Sequence, residues 1–134
     1  MARDTGRNER GRSEPGGEEL LRLVMAELEE LQAGDVEVLD VRELTDVTDY
    51  MVVTTGRTSR HVRAITEKVV VSAKHRDAPP LGVEGEREGE WVLVDLCDVV
   101  VHVMQPDARE LYQLEKLWSP VMALREQTTG APVP

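Results

Sequence analysis

Two aspartates at a strand connection are the first residues that could do chemistry. Asp95 and Asp98 enclose Leu96 and Cys97, and carboxylates at strand ends can hold Mg²⁺ for a transferase. Such an enzyme needs two carboxylates that converge on one ion, often spaced as Asp-X-Asp, and this spacing does not occur after Gly56. Because Asp also satisfies backbone donors in turns, we interpret both aspartates as turn residues.

A second candidate for chemistry is the junction of residues 55–59, which read Thr-Gly-Arg-Thr-Ser. Backbone N–H groups at a strand-to-helix junction can bind phosphate. However, neither Gly-X-Gly-X-X-Gly nor Gly-X-X-X-X-Gly-Lys-Ser/Thr is present, and Gly followed by Thr or Ser is an ordinary helix start. A nucleotide-binding or nucleotidyltransferase-type enzyme that uses this junction with Asp95 and Asp98 is therefore the alternative hypothesis.

The remaining nucleophiles and metal ligands are scattered along the chain. His102 stands alone in an apolar run, His61 and His75 lie on a predicted helix far from any Cys or carboxylate ligand set, and Cys97 has no identifiable His partner. A lone strand His is usually a hydrogen-bonded structural group, and zinc sites need clustered ligands. The sequence therefore predicts no catalytic residue, no metal site and no cofactor.

The large aromatic side chains point to binding instead. The chain has no Phe, two Trp and two Tyr, so rings are scarce in a mostly aliphatic core. Trp91 follows a charged turn at residues 84–90, whereas Tyr112 and Trp118 belong to the last predicted helix. Trp and Tyr are favoured interface anchors, because a broad apolar body with one polar atom suits a partly hydrated contact. Gap filling between helix and sheet is the alternative for Trp118.

The elements that position these residues follow from the spacing of apolar residues. Steps of three and four predict a first helix from Glu18, which Gly34 is placed to end, and a second helix capped by Thr58 or Ser59. A last helix opens at Pro106. Alternating and β-branched segments predict strands at residues 36–41, 50–53, 81–84, 91–94 and 99–104. The order αββαβββα predicts an α/β protein of the α+β type, with helices packed on a mixed sheet of about five strands.

Length and charge limit the domain organisation and the class of partner. The chain has 134 residues, 40% of them apolar, which predicts one domain at residues 18–119 between a disordered tail at 1–17 and a flexible tail at 120–134. A formal charge of −10 disfavours binding to nucleic-acid backbones and anionic membranes. The apolar runs are too short for a membrane span, and the single Cys97 forms no internal disulfide, so we expect a cytoplasmic protein.

Five blocks of sequence, in this order, resemble the ribosomal silencing factor RsfS (Iojap) family. They are residues 35–40, 55–62 (Thr-Gly-Arg-Thr-Ser-Arg-His-Val), 82–85 (Gly-Val-Glu-Gly), 91–103 (from Trp-Val-Leu-Val-Asp to Asp-Val-Val-Val-His-Val) and 112–118 (Tyr-Gln-Leu-Glu-Lys-Leu-Trp). Each block alone is weak. The ordered set, which spans residues 20–119, makes the resemblance specific.

The resemblance implies a function without chemistry. It implies docking on the large ribosomal subunit through ribosomal protein L-fourteen, which sterically prevents joining of the small subunit and represses translation under nutrient limitation. The implied fold is nucleotidyltransferase-like without the catalytic carboxylates, and a homodimer of the free protein is also implied. Ribosomal proteins are typically basic, so an acidic domain with exposed aromatic residues suits such a partner and makes little direct nucleic-acid contact.

The positions of the matching motifs assign residues that form or support the docking face, with Trp91 ranked first. The others are Asp95, His102, Tyr112, Glu115, Lys116 and Trp118. Cys97 departs from the family pattern, which usually has Gly between the two aspartates, and a side chain there changes the turn angle. A generic acidic adaptor for another basic protein is a third hypothesis.

Overall fold

The computed structural model describes residues 16–113, and its elements follow the predicted order αββαβββα. The helices are α1 (Gly17–Glu30), α2 (Ser59–His75) and α3 (Pro106–Tyr112). The strands are β1 (Gly34–Asp40), β2 (Tyr50–Thr55), β3 (Gly82–Glu84), β4 (Trp91–Asp95) and β5 (Val99–Met104). None of these helices is long and apolar enough to cross a membrane. Most of the predicted N-terminal tail and all of the predicted C-terminal tail lie outside the described residues.

The five strands form one mixed sheet in the order β1-β2-β5-β4-β3, which confirms the predicted fold class. β2 and β5 pair in parallel, from Tyr50 opposite Val99 to Thr55 opposite Met104, and the other three strand pairs are antiparallel. Parallel neighbours need a long crossover connection, which α2 and the β3–β4 pair supply here. Every residue of β2 is buried, because helices or loops cover both faces of this interior strand.

Helices α1 and α2 cover one face of the sheet and form the main core with it. Their apolar stripes recur at helical spacing, as the sequence predicts. The side chains of this core that are most deeply buried include Leu20, Val24, Leu28, Val52, Val62, Ile65, Val69, Val92, Val94 and Val101. Burial of each such side chain contributes roughly 1.5–3 kcal/mol, so this layer dominates the stability of the domain.

The opposite face of the sheet has a smaller core. Side chains alternate along a strand, so Met51 and Val53 point away from α1 and α2 while Val52 points toward them. This second core is built from Leu39, Val41, Met51, Val53, Met104 and Ala108, with Leu44 and Trp91 packed against it. Ala108 belongs to α3, so the last helix packs on this face near the ends of β2 and β5.

The end of α1 corrects one prediction, because Gly34 does not terminate this helix. α1 ends at Glu30, and Gln32 takes the left-handed conformation (φ 57°) that usually selects Gly. The N–H groups of Gln32 and Ala33 donate to carbonyl oxygens of the last turn at 3.0 and 2.9 Å, which is the Schellman pattern. These bonds offset the strain of a side chain at positive φ, and Gly34 is left to begin β1.

The start of α1 lies one residue earlier than predicted, at Gly17. Gly17 is buried, and a Cβ atom at this position would lie 2.7 Å from Oδ2 of Asp49. The Asp49 carboxyl group therefore sits at the N-terminal end of α1, where the helix dipole favours negative charge. A side chain at position 17 would displace this carboxyl group from the helix end, which Gly17 leaves in place.

His61 connects the start of α2 to the end of α1. The N-cap of α2 is Thr58, whose Oγ1 accepts the backbone N–H of His61 at 3.1 Å and so confirms the predicted cap. Nδ1 of His61 accepts the N–H of Arg57 at 3.0 Å, and Nε2 therefore carries the proton and donates to the carbonyl oxygen of Leu31 at 2.8 Å. One imidazole satisfies backbone groups at two helix ends.

We expect His61→Ala to lower the free energy of unfolding by about 1–3 kcal/mol, because it removes two hydrogen bonds worth roughly 1 kcal/mol each. Urea unfolding followed by circular dichroism measures the loss. His75→Ala is the matched control, since His75 is exposed in the last turn of the same helix, and it should change stability by less than about 0.5 kcal/mol. Equal, small effects of the two substitutions would contradict the role of His61.

Candidate functional site

Three of the predicted docking residues come together at one end of the sheet. Trp91 begins β4, and its indole N–H donates to Nδ1 of His102 at 3.0 Å. The ring centroids of Trp91 and Tyr112 lie 4.8 Å apart with an interplanar angle of 43°, within the range of favourable aromatic pairs. We call Trp91, His102 and Tyr112 the aromatic cluster.

Strand register explains why Trp91 and His102 meet. In the antiparallel β4–β5 pair, Trp91 lies opposite Met104 and Leu93 lies opposite His102. Trp91 and His102 are therefore diagonal neighbours on one face of the sheet, a separation that large side chains can span. Tyr112 reaches the pair because α3 follows β5 after one residue and packs back over this face.

The members of the aromatic cluster differ in exposure. His102 is only 5% exposed, Trp91 is half-buried and Tyr112 is 52% exposed. Leu111, which precedes Tyr112 on α3, is 73% exposed. Trp91 and Tyr112 can therefore touch a partner directly, whereas His102 lies behind them.

The aromatic cluster continues into an open part of the sheet. Leu93 and Asp95 share the face of Trp91, because side chains two residues apart in a strand point the same way. Val100 lies opposite Asp95 on the same face, and all three side chains are half-buried. We call Trp91, Leu93, Asp95, Val100 and Tyr112 the Trp91 face.

A turn held from two sides places Trp91. Arg63 of α2 donates to two carbonyl oxygens of the turn at residues 85–90, at 3.1 and 2.8 Å. Gln105 donates to a third carbonyl oxygen, that of Gly89, at 2.9 Å. The sequence did not predict either anchor, because a contact between distant side chains leaves no local pattern.

Two glycines permit this turn, and they are the feature of the sequence from which the turn could have been predicted. Gly85 and Gly89 have φ values of 89° and 67°, where L side chains are strained. A Cβ atom at Gly85 would collide with the carbonyl oxygen of Trp91, and one at Gly89 would lie 2.9 Å from Cβ of Ser59. The turn thus packs against both the strand it precedes and the first turn of α2.

A buried arginine anchors α3. The sequence analysis did not predict this role either. Arg109 is 9% exposed, and its Nη1 donates to Oγ1 of Thr55 at 2.8 Å and to the carbonyl oxygen of Asp35. α3 has seven residues, fewer than an isolated helix needs for stability in water. The anchor at Arg109 therefore helps to hold Tyr112 beside Trp91.

Asp95 lies at the opposite end of β4 from the aromatic cluster. Its Oδ1 accepts the N–H of Cys97 at 2.9 Å, which confirms its predicted turn role. Asp98 is buried, and within residues 16–113 no group of three or more His, Cys, Asp or Glu side chains could hold a metal ion. On the Trp91 face, Asp95 thus lies at the other end of β4 from the rings of Trp91 and Tyr112.

Burial sets the protonation state of His102. The imidazolium form would lose its water shell inside the protein, which lowers the pKa of His102 to about 4. The ring is therefore neutral near pH 7. Because Nδ1 accepts the indole N–H of Trp91, the ring proton lies on Nε2.

The other three predicted docking residues, Glu115, Lys116 and Trp118, lie outside the described residues. Their assignment to the docking face stays a prediction.

Comparison with known proteins supplies a family for this arrangement. The family model described as "Ribosomal silencing factor during starvation" matches residues 14–132. The chain belongs to this ribosomal silencing factor family. The match includes the Trp91 face and both of the helices that pack on the other side of the sheet.

Relatives of known sequence and structure agree with this assignment. The chain is 40% identical over 100 residues to the ribosomal silencing factor RsfS of Haemophilus influenzae, which covers 75% of this chain and 98% of the relative. It is 37% identical over 99 residues to RsfS of Bacillus subtilis, which covers 74% of this chain and 84% of the relative. A crystal structure of a Chromobacterium violaceum protein matches with a TM-score of 0.76 at 40% identity, over 78% of this chain and 87% of that chain.

These matches confirm the family resemblance and the α+β fold. The likeness to nucleotidyltransferases, which the resemblance also implied, is tested by none of them and stays a prediction.

At the corner where the sequence resemblance implies Gly, Cys97 has a φ of 78°. A Cβ atom in this region of φ costs roughly 1–2 kcal/mol. Gly avoids this strain, but it loses more conformational entropy on folding, which offsets part of the gain. We expect Cys97→Gly to be more stable than Cys97→Ala by about 1 kcal/mol in urea unfolding, because Ala keeps the strained Cβ. Equal unfolding midpoints for the two variants would show that the corner tolerates a side chain without strain.

His102 should make the stability of this silencing-factor domain depend on pH. Its pKa falls from 6.5 to about 4 on folding, so between these values the unfolded chain binds a proton that the folded protein does not. Above about pH 6.5 both states leave His102 neutral, and the free energy of unfolding does not depend on its protonation. As the pH falls toward 4, the free energy of unfolding decreases by up to about 3 kcal/mol.

Urea unfolding of the wild type and His102→Asn, from about pH 7.5 to about pH 4, isolates this contribution. The free energy of unfolding of the wild type should fall relative to that of the variant as the pH drops. A difference that is constant over this range would contradict the lowered pKa.

Proposed function

We propose that the protein represses translation by docking on the large ribosomal subunit through ribosomal protein L-fourteen and blocking the joining of the small subunit. Membership of the ribosomal silencing factor family is the observation that carries this proposal. Bacterial relatives are named as ribosomal silencing factors, and a mouse relative is named "Mitochondrial assembly of ribosomal large subunit protein 1". The family description, silencing during starvation, supports repression under nutrient limitation.

The Trp91 face has the composition of a docking surface. Trp91 and Tyr112 offer two large rings at one end, and Leu93 and Val100 continue an apolar strip along the sheet. Protein interfaces commonly combine aromatic anchors with an apolar centre that loses its water on binding. This face is therefore the proposed contact with ribosomal protein L-fourteen.

The charge of the protein favours a basic protein as the partner. The chain carries a formal charge of −10. Asp107 and Glu110 are exposed on α3 near Tyr112, and Asp95 is half-buried on the Trp91 face. Opposite charges at the rim of an interface speed and orient association with a basic ribosomal protein. The same charges are repelled by RNA phosphates, so the proposal includes little direct contact with rRNA.

The proposed action depends on position and assigns no catalytic residue. A domain of about 100 residues has a radius of gyration of roughly 13 Å, so its docking beside the joining surface places a sizeable obstacle there. We place this action in the cytoplasm. The proposed homodimer of the free protein rests on the family resemblance alone.

Trp91→Ala should weaken binding to isolated large subunits about thirty-fold, since loss of an interface anchor typically costs about 2 kcal/mol. Co-sedimentation with separated large and small subunits, at low and at physiological salt, measures the change. Val71→Ala is the matched control, because Val71 is 41% exposed on α2, on the other side of the sheet, and it should bind as the wild type does. Tyr112→Ala keeps the test decisive if Trp91→Ala fails to fold.

Each outcome of this experiment distinguishes the hypotheses. Binding to large subunits that is indifferent to Trp91 and Tyr112 would keep the family function and discard the proposed face. A folded wild-type protein that fails to pellet with large subunits would refute the proposal. A thermal shift with a nucleoside triphosphate and Mg²⁺ would then favour the nucleotide-handling enzyme, and its absence would favour the acidic adaptor.

A further inference from the structure

His102 is the member of the aromatic cluster that is least accessible to a partner. Its side chain is 5% exposed. It lies within β5, between Leu93 on β4 and Val53 on β2, so strands on both sides limit its movement. This burial argues against direct contact between His102 and a docked protein.

The buried ring instead holds Trp91. Nδ1 of His102 accepts the indole N–H at 3.0 Å. Burial also holds the pKa of His102 at about 4, so the acceptor lone pair stays available near neutral pH. Without this acceptor, the indole N–H would have to find water or remain unpaired, which costs free energy when the group is partly buried.

Two contacts on different parts of the indole fix its orientation. The hydrogen bond to His102 holds the N–H edge of Trp91, and Tyr112 packs against the ring at a centroid distance of 4.8 Å. Ordering a flexible side chain at an interface weakens binding, and a side chain that is already ordered avoids this loss. The indole is thus fixed before any partner arrives.

We propose that His102 is a positioning residue for docking, which holds the indole of Trp91 in the orientation that the ribosomal partner contacts. This inference rests on the proposed function and adds that His102 acts through Trp91. The partner therefore meets a preorganised anchor, supported from behind by a side chain it does not touch.

A double-mutant cycle tests whether His102 acts through Trp91. The variants are His102→Leu, which removes the acceptor but keeps a bulky side chain, Trp91→Ala, and the two together. His102→Leu alone should weaken binding to large subunits about five-fold, the loss expected for one hydrogen bond. In the Trp91→Ala background, the same substitution should change binding by less than about two-fold. Equal losses in both backgrounds would overturn the positioning role.

His102→Asn is the matched conservative variant. Oδ1 of Asn is as many bonds from Cα as Nδ1 of His, so it can accept the indole N–H of Trp91. We expect His102→Asn to bind within about two-fold of the wild type. If His102→Asn and His102→Leu are both folded and equally weak, the hydrogen bond is not the cause and the proposal fails.

Fluorescence tests the same inference without the ribosome. Trp118→Phe leaves Trp91 as the only indole of the chain, and this background serves the spectroscopic measurement alone. Adding His102→Leu should increase acrylamide quenching of Trp91 and weaken the indole band in near-ultraviolet circular dichroism, whereas adding His102→Asn should preserve both signals. Unchanged signals in the Leu variant would show that His102 does not position the indole.

The two arms separate the possible failures. Failure of the wild-type protein to bind large subunits would refute the proposed function, whatever the fluorescence shows. Unchanged quenching and dichroism in the His102→Leu variant would refute the positioning role, even if the wild type binds.

Discussion

The parallel pairing of β2 with β5 is the constraint on which the rest of the structure depends. It runs from Tyr50 opposite Val99 to Thr55 opposite Met104, so both strands end at the same edge of the sheet. The N–H of Gly56 donates to the carbonyl oxygen of Met104 at 2.9 Å and extends the pairing by one bond. Parallel strands need a long crossover, which here contains α2, β3 and β4. The start of α2, the start of β4 and the start of α3 consequently meet at one edge, where the aromatic cluster forms.

This arrangement gives the two faces of the sheet different tasks. α1 and α2 close one face with an almost wholly aliphatic core, which supplies the stability of the domain. The other face has a smaller core, and the Trp91 face lies beside it with half-buried apolar side chains. Since one layer already buries a large apolar area, the second face is available for binding. The proposed docking on a basic ribosomal protein uses that freedom together with the acidic charge of the chain.

Most of the fold could be predicted from the sequence, whereas the end of α1 and the side chains that anchor distant segments could not. Within residues 16–113, the apolar periods located three helices and five strands, because burial on one face imposes a period of 3.6 or 2. The last helix was predicted to include Trp118, but α3 ends at Tyr112, where Gln113 takes the left-handed conformation. The end of α1 was mispredicted, since its Schellman motif has Gln32 rather than Gly34 in the left-handed conformation. Arg63 and Arg109 were missed as anchors. Each acts through contacts with segments distant in sequence, which leave no local signal.

The sequence by itself determined the order of elements, the acidic charge and the family, because these depend on local spacing, composition and ordered motifs. It also singled out Trp91, Asp95, His102 and Tyr112. Only the tertiary structure decided that three of these residues form a cluster at one end of β4 while Asp95 lies at its other end. It also decided that His102 lies behind Trp91. The physical reason is that strand register and the return of α3 over the sheet fix which side chains meet, and neither is encoded within a single segment.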